Sequence, residues 1–188
     1  MKKVLVTILL CVYFTLNTNA QEVTVAEPNF AEETVLLTSN SEGVTLKREN
    51  GSIKAKAGAS VFLVGIGKIK SRLTLSGNKS VNKTKAGSNP QLIIKAKDND
   101  TDPNSFISIF QFEVTKKERR FQLAELGTFT GSKSSNTASI DFTAKKYGEK
   151  SYLIQLQDLE PGEYGILLGD PNTSNTKNGL KVTTFTVE

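Results

Sequence analysis

Residues 106–114 read Phe106-Ile107-Ser108-Ile109-Phe110-Gln111-Phe112-Glu113-Val114. Phe106, Phe110, Phe112 and Val114 fall on one face of an extended chain, and Ile107 and Ile109 on the other. Spacing by two is the period of a strand, whose successive side chains point to opposite sides. Apolar groups on both faces predict a strand that is covered on both sides near its start.

The same period recurs outward in both directions. In residues 68–75, Ile69, Leu73 and Leu75 share one face, while Lys68, Lys70, Arg72 and Thr74 share the other. In residues 152–156 the inward set is Tyr152, Ile154 and Leu156. Shorter strand-like pieces fall at 34–38, 44–47, 53–57, 61–64, 92–96, 121–126, 140–143, 164–168 and 181–187. No stretch sustains apolar spacing at three and four residues, so helix is limited to short turns. Many short strands with turns between them predict an all-β fold: a β-sandwich, Ig-like or jelly-roll-like, or a partly closed barrel. Strands this short, without recurring aromatic girdles, argue against an outer-membrane barrel.

Turn chemistry divides the strands. Glu49-Asn50-Gly51-Ser52 contains Asn-Gly, a strong hairpin signal. Thr115-Lys116-Lys117-Glu118-Arg119 reads as a charged tip, making 106–126 one long hairpin. Glu160-Pro161-Gly162-Glu163 suits a type II turn, with Pro161 presetting φ and Gly162 supplying a positive φ. Gly58, Gly65 and Gly67 cluster near residues 58–68, where a small N-terminal sheet could end and a larger sandwich begin.

The N-terminus has a different character. Met1-Lys2-Lys3 precedes an apolar to weakly polar run from Val4 to Leu16, followed by Asn17-Thr18-Asn19-Ala20. This order of charged, apolar and small residues predicts a secretory signal over residues 1–20, cut between Ala20 and Gln21. The run is shorter than the roughly 20 residues a spanning helix needs. No transmembrane segment is therefore expected after cleavage. Leu10, before Cys11, is too large for a lipoprotein site. Residues 21–33 are expected to be a flexible leader, and 34–188 the β domain. The signal holds two of the 24 basic residues and none of the 19 acids, which leaves the remainder mildly basic. That is not the footprint of a nucleic-acid binder. Asn78, Asn82, Asn99 and Asn172 lie in Asn-x-Ser/Thr patterns and read as polar loop residues.

The order of the motifs is informative. Lys68-Ile69-Lys70-Ser71-Arg72 leads to Gly77-Asn78-Lys79-Ser80, then Lys85-Ala86-Gly87, then Asn99-Asp100-Thr101-Asp102-Pro103. Gly127-Thr128-Phe129-Thr130-Gly131 and Pro161-Gly162-Glu163-Tyr164-Gly165 complete the series. Over roughly residues 34–188 this resembles exported, functionally uncharacterised proteins of Bacteroides-type Gram-negative bacteria. The resemblance implies a periplasmic, secreted or cell-surface setting. It carries no catalytic residue and no cofactor.

Absences restrict the chemistry further. The chain has no His and no Trp, and its one Cys lies within the predicted signal. Ser-His-Asp and Cys-His catalysis are excluded, as are ordinary zinc and haem ligation. Ser76-Gly77-Asn78-Lys79 matches Ser-x-x-Lys, and Ser134-Ser135-Asn136 matches Ser-x-Asn. The first sits in a β-turn rather than at a helix start, however, and the nearest Lys-Thr precedes Ser-x-Asn instead of following it. Asp98, Asp100 and Asp102 are spaced as in a calcium loop, but Pro103 replaces the required glycine and Ile109 the distal acid. The favoured reading there is an Asx-rich connection; a calcium site completed by backbone carbonyls is the alternative. Lys68, Lys70 and Arg72, and the tip residues Lys116, Lys117, Arg119 and Arg120, suit either an anionic polymer or the protection of sheet edges from unwanted pairing. Tyr164 is expected to be a corner residue, with a buried ring and its hydroxyl on backbone.

Two functions fit. The first is a non-enzymatic binding or assembly module of the bacterial envelope, acting on an envelope protein or surface polymer through sheet faces, edges and loops. The second is a hydrolase of envelope or dietary glycans working with carboxylates alone, which requires two acids converging in a cleft. Convergence of Asp98, Asp100 or Asp102 with Glu113 or Glu125 would favour the second.

Overall fold

A computed structural model describes residues 22–56, 70–123, 139–169 and 179–188. Among the described residues, thirteen strands run in chain order: β1 (Thr34–Leu37), β2 (Gly43–Thr45), β3 (Arg48–Lys56), β4 (Lys70–Ser76), β5 (Lys83–Thr84), β6 (Gln91–Lys95), β7 (Ile107–Gln111), β8 (Glu113–Val114), β9 (Glu118–Gln122), β10 (Phe142–Tyr147), β11 (Ser151–Leu156), β12 (Gly162–Leu168) and β13 (Leu180–Val187). One 3₁₀ turn, Pro103–Ser105, precedes β7 and is capped by the Asp102 side chain. Among the described residues no helix is long and apolar enough to cross a membrane.

The strands form two sheets. The first has the order β10-β11-β6-β1-β2 and is antiparallel throughout. The second has the order β7-β12-β13-β3-β4-β9-β8, with β5 added parallel to β13. The ends of this second sheet, β7 and β8, are successive pieces of one chain segment on either side of Phe112. β7 pairs with β12 and β8 with β9. At the junction Phe112 donates its N–H to the Glu163 carbonyl at 2.8 Å. The sheet thus curls into a nearly closed barrel, and the first sheet packs on one side of it as in a sandwich.

Residues 106–114 explain this arrangement. Ile107 and Ile109 enter the layer between the two sheets, with Leu92, Ile94, Ile154 and Phe185. Phe110 and Phe112 fill the barrel, with Leu73, Leu75, Phe121 and Val182. The all-β sandwich expectation is met, and so is cover on both sides of this strand.

Several local expectations change. Asn50-Gly51 is no hairpin turn, because both residues lie inside β3. The strand pairs with β13 through Gly51 and with β4 from Ser52 onward. A side chain at Gly51 would bring its Cβ within 2.3 Å of Leu73 Cδ1, so the glycine provides room for barrel packing rather than turn freedom. The 106–126 hairpin shrinks to its tip, Glu113 opposite Arg120 and Val114 opposite Arg119. Its first half is taken by β12. Gly162 has no positive φ and begins β12; the left-handed residue nearby is Asp158, at φ 53°. A Cβ on Gly162 would come within 2.3 Å of Gln111 Nε2. No separate N-terminal sheet forms among the described residues, since β1 pairs with β6 and β3 with β13. The break near 58–68 lies outside the described residues.

Residues 22–28 differ from the flexible leader expected over 21–33. Val23 and Val25 pack on Val35, Ile93 and Leu153, the outer face of the first sheet. Tyr147 donates its hydroxyl to the carbonyls of Val23 and Val25. Glu27 accepts from Ser151 Oγ at 2.6 Å, from the N–H groups of Glu149 and Lys150, and from Lys95 Nζ at 3.2 Å. The strap covers apolar surface that the sheet would otherwise expose.

Candidate binding groove and free sheet edge

Among the described residues, one end of the barrel interior is packed with apolar side chains. At the other, alternation turns Glu49, Arg119, Glu163 and Thr184 to the same inward side as Ile53, Phe121, Leu167 and Val182. Arg119, 1% exposed, makes a two-pronged contact with Glu49 at 3.1 and 2.7 Å. It also donates to the carbonyls of Gly77 and Ser76, and its guanidinium lies 5.8 Å above the Phe112 ring. Glu163, 3.7 Å from Arg119, accepts from Ser80 N–H and from Thr186 Oγ1, both at 2.7 Å. Thr184 completes the network through Ser80 and Glu49. Every member has partners, so the network stoppers the barrel. This corrects the reading of Arg119 as part of an exposed basic tip. Lys116 and Lys117 are exposed there, while Arg120 pairs with Glu118.

Among the described residues, the first sheet has an open side at β10. β11 uses its even-numbered residues toward β6, as the N–H of Leu156 to Pro90 and of Ala96 to the Lys150 carbonyl show. Its odd-numbered residues therefore bond to Thr143, Lys145 and Tyr147 of β10. The backbone N–H and C=O groups of Phe142, Ala144 and Lys146 point away from the sheet. Thr143, Ala144, Lys145 and Lys146 are exposed.

Beside the start of β10, where the sheets meet, lies an open groove of about 470 Å³. Asp141, Asp158 and Glu160 supply carboxylates to its lining, Gln111 and Gln155 amides, and Phe142 and Leu159 apolar surface. Tyr164 lines its floor as expected of a corner residue. Its ring is buried and stacked on Phe185, and its hydroxyl donates to the Glu160 carbonyl at 2.6 Å.

The residues singled out from sequence are dispersed. Asp98 accepts from Asp100 N–H and from Thr101 Oγ1, and Asp102 from both nitrogens of Asn104. Asp100 pairs with Lys146 at 2.6 Å. These are Asx-turn contacts within an exposed connection, and no group of three or more potential metal-ligating acids forms among the described residues. Glu113 is exposed on β8, and Glu125 lies outside the described residues. Ser76 ends β4, and Lys79 reaches Glu188 at 3.5 Å. Arg72 is exposed. Asn82 bonds the Thr184 carbonyl and Asn99 those of Gly148 and Ser151. Lys68, Ser134, Ser135, Asn136, Asn172, Cys11 and the Ala20–Gln21 bond lie outside the described residues. Asp141, Asp158 and Glu160 were not signalled by any spacing, because Asp141 precedes β10 while Asp158 and Glu160 lie in the β11–β12 connection, and the two segments meet only in the fold.

Among the described residues, three carboxylates have lowered pKa values. Burial pushes Glu27 up, but the bonds from Ser151, Glu149, Lys150 and Lys95 outweigh it and hold it at about 2. The hydrogen bond from Lys146 lowers Asp100, and that from Lys83 lowers Glu188. All three are held ionised. No family model, curated protein or solved structure matches this chain.

Proposed function

We propose that the chain is an exported, non-enzymatic binding or assembly module of a Gram-negative envelope, and that it works by strand addition at β10. The carrying observation is the six-residue edge whose outward backbone groups have no partner among the described residues. Such an edge gains main-chain hydrogen bonds from an added strand, and adjacent surface supplies selectivity. Apolar packing and a fully partnered polar network inside the barrel leave recognition to its edges and outer surfaces.

The test is a photo-crosslinking residue placed at Ala144 of the mature protein in intact cells, with Lys97, exposed on another connection, as the control position. One cross-linked species in near-stoichiometric yield from Ala144, absent from Lys97, is the expected result. Equal background from both positions would defeat the reading. A second reading, a carboxylate-dependent glycan hydrolase, is favoured by the meeting of Asp141, Asp158 and Glu160 in one groove. It requires glycan cleavage by the pure protein that is lost on Asp141→Asn, Asp158→Asn or Glu160→Gln.

A further inference from the structure

We infer that the occupant of the β10 edge is a second copy of this chain, paired antiparallel about a two-fold axis at Thr143. This rests on the reading of β10 as a working edge, and it names the partner.

Asp141, Thr143 and Lys145 share one face of the extended segment and are all exposed. Neither Asp141 nor Lys145 has an ion pair or side-chain hydrogen bond among the described residues. Lys146 points to the opposite face and is engaged by Asp100 at 2.6 Å. The free charges of the edge thus run from acid to base along the chain. An antiparallel copy reverses that order, so acid meets base at both ends of the contact. A two-fold axis forms both pairs at once, because each patch serves as its own complement.

Charge selects the register. The outward groups of β10 belong to Phe142, Ala144 and Lys146; with the axis at Thr143, Phe142 exchanges hydrogen bonds with Ala144 of the partner subunit, and the reverse. Thr143 then faces Thr143 of the partner subunit, and Asp141 faces Lys145 of the partner subunit. Both fall at non-hydrogen-bonded positions, where facing side chains approach most closely. Thr-Thr and opposite-charge pairs are favourable across strands. An axis at Ala144 would instead set the two Lys145 side chains diagonal to each other, beside Thr143, with no acid directly opposite either. The bland alternative is that Lys145 merely discourages pairing. That alternative gives Asp141 no role and predicts a monomer at every concentration, before and after charge reversal.

Sedimentation of the pure mature protein across a concentration series tests this. The expected result is a dimer whose dissociation constant rises about tenfold or more with Lys145→Glu, since each substitution acts twice in the interface. Asp141→Lys alone acts likewise, and Asp141→Lys with Lys145→Glu restores association. Ala144→Pro, which removes an outward donor that the sheet does not use, abolishes the dimer while the far-ultraviolet spectrum stays unchanged. A monomer at every concentration overturns the inference, as does a dimer indifferent to these substitutions. If the protein is monomeric while Ala144 still cross-links one different partner in cells, the edge reading stands and the second copy is wrong. If both measurements are negative, both fail.

Discussion

Arg119 shows how a residue's surroundings override its type. In sequence it belongs to a charged tip, and only pairing of β9 with β4 turns it inward beside Phe121. Removing its charge leaves Glu49 and Glu163 facing each other without a cation. Arg119→Met is expected to cost about 3–5 kcal/mol, read as a lowered urea midpoint. Arg119→Lys should cost less, because it keeps the charge and loses the two-pronged geometry. Glu27 makes a second prediction. Its pKa is lowered on folding, so its contribution is present above the ordinary value of 4.5 and lost as pH falls toward about 2. Protection of residues 22–28 from proteolysis should fall through that window. Glu27→Gln should already show weaker protection at neutral pH, with little further change over the same range. Neither role could be read from spacing: the partners of Arg119 and Glu27 lie tens of residues away in the chain.

Strands were the most legible level. Period two placed β4, β6, β7, β11, β12 and β13, and for β4, β7 and β11 their faces as well, because the pleat imposes it whatever the neighbours are. Strand partners were less legible. Asn50-Gly51 carried a turn signal, yet Gly51 is needed where β3 passes close over Leu73. Gly51→Val is expected to destabilise by about 1–3 kcal/mol through overpacking, seen as a lower melting temperature. Gly148 is a true turn glycine, with φ 56°, and its added Cβ would come too close to the Glu27 carboxylate. Gly148→Ala should therefore release the N-terminal strap, measured as faster hydrogen exchange over residues 22–28, with smaller effect on the barrel. The strap itself has no strand pairing and few apolar residues, and for that reason its sequence resembles a loose leader.

At the scale of the molecule, β7, β12 and β13 serve two cores at once. Ile109 belongs to the layer between the sheets and Phe110 to the barrel, one peptide bond apart. Damage to either core should therefore be felt by both. Phe110→Ala is expected to cost about 3–5 kcal/mol. Unfolding should remain a single transition, with circular dichroism and tyrosine fluorescence superimposing through the urea range. Two separate transitions would show that the sheets melt independently.

Alternation of apolar side chains was enough to establish an all-β chain, many of its strands and a segment with two buried faces, since these follow from local backbone geometry. The lack of histidine and tryptophan likewise limited the chemistry without any coordinates. The nearly closed barrel, the buried Glu49–Arg119–Glu163 network, the strap, the acidic groove and the open side of β10 required the folded structure. Each depends on which distant segments pair, and that choice is made by the joint packing of all the strands, which no short window of sequence contains.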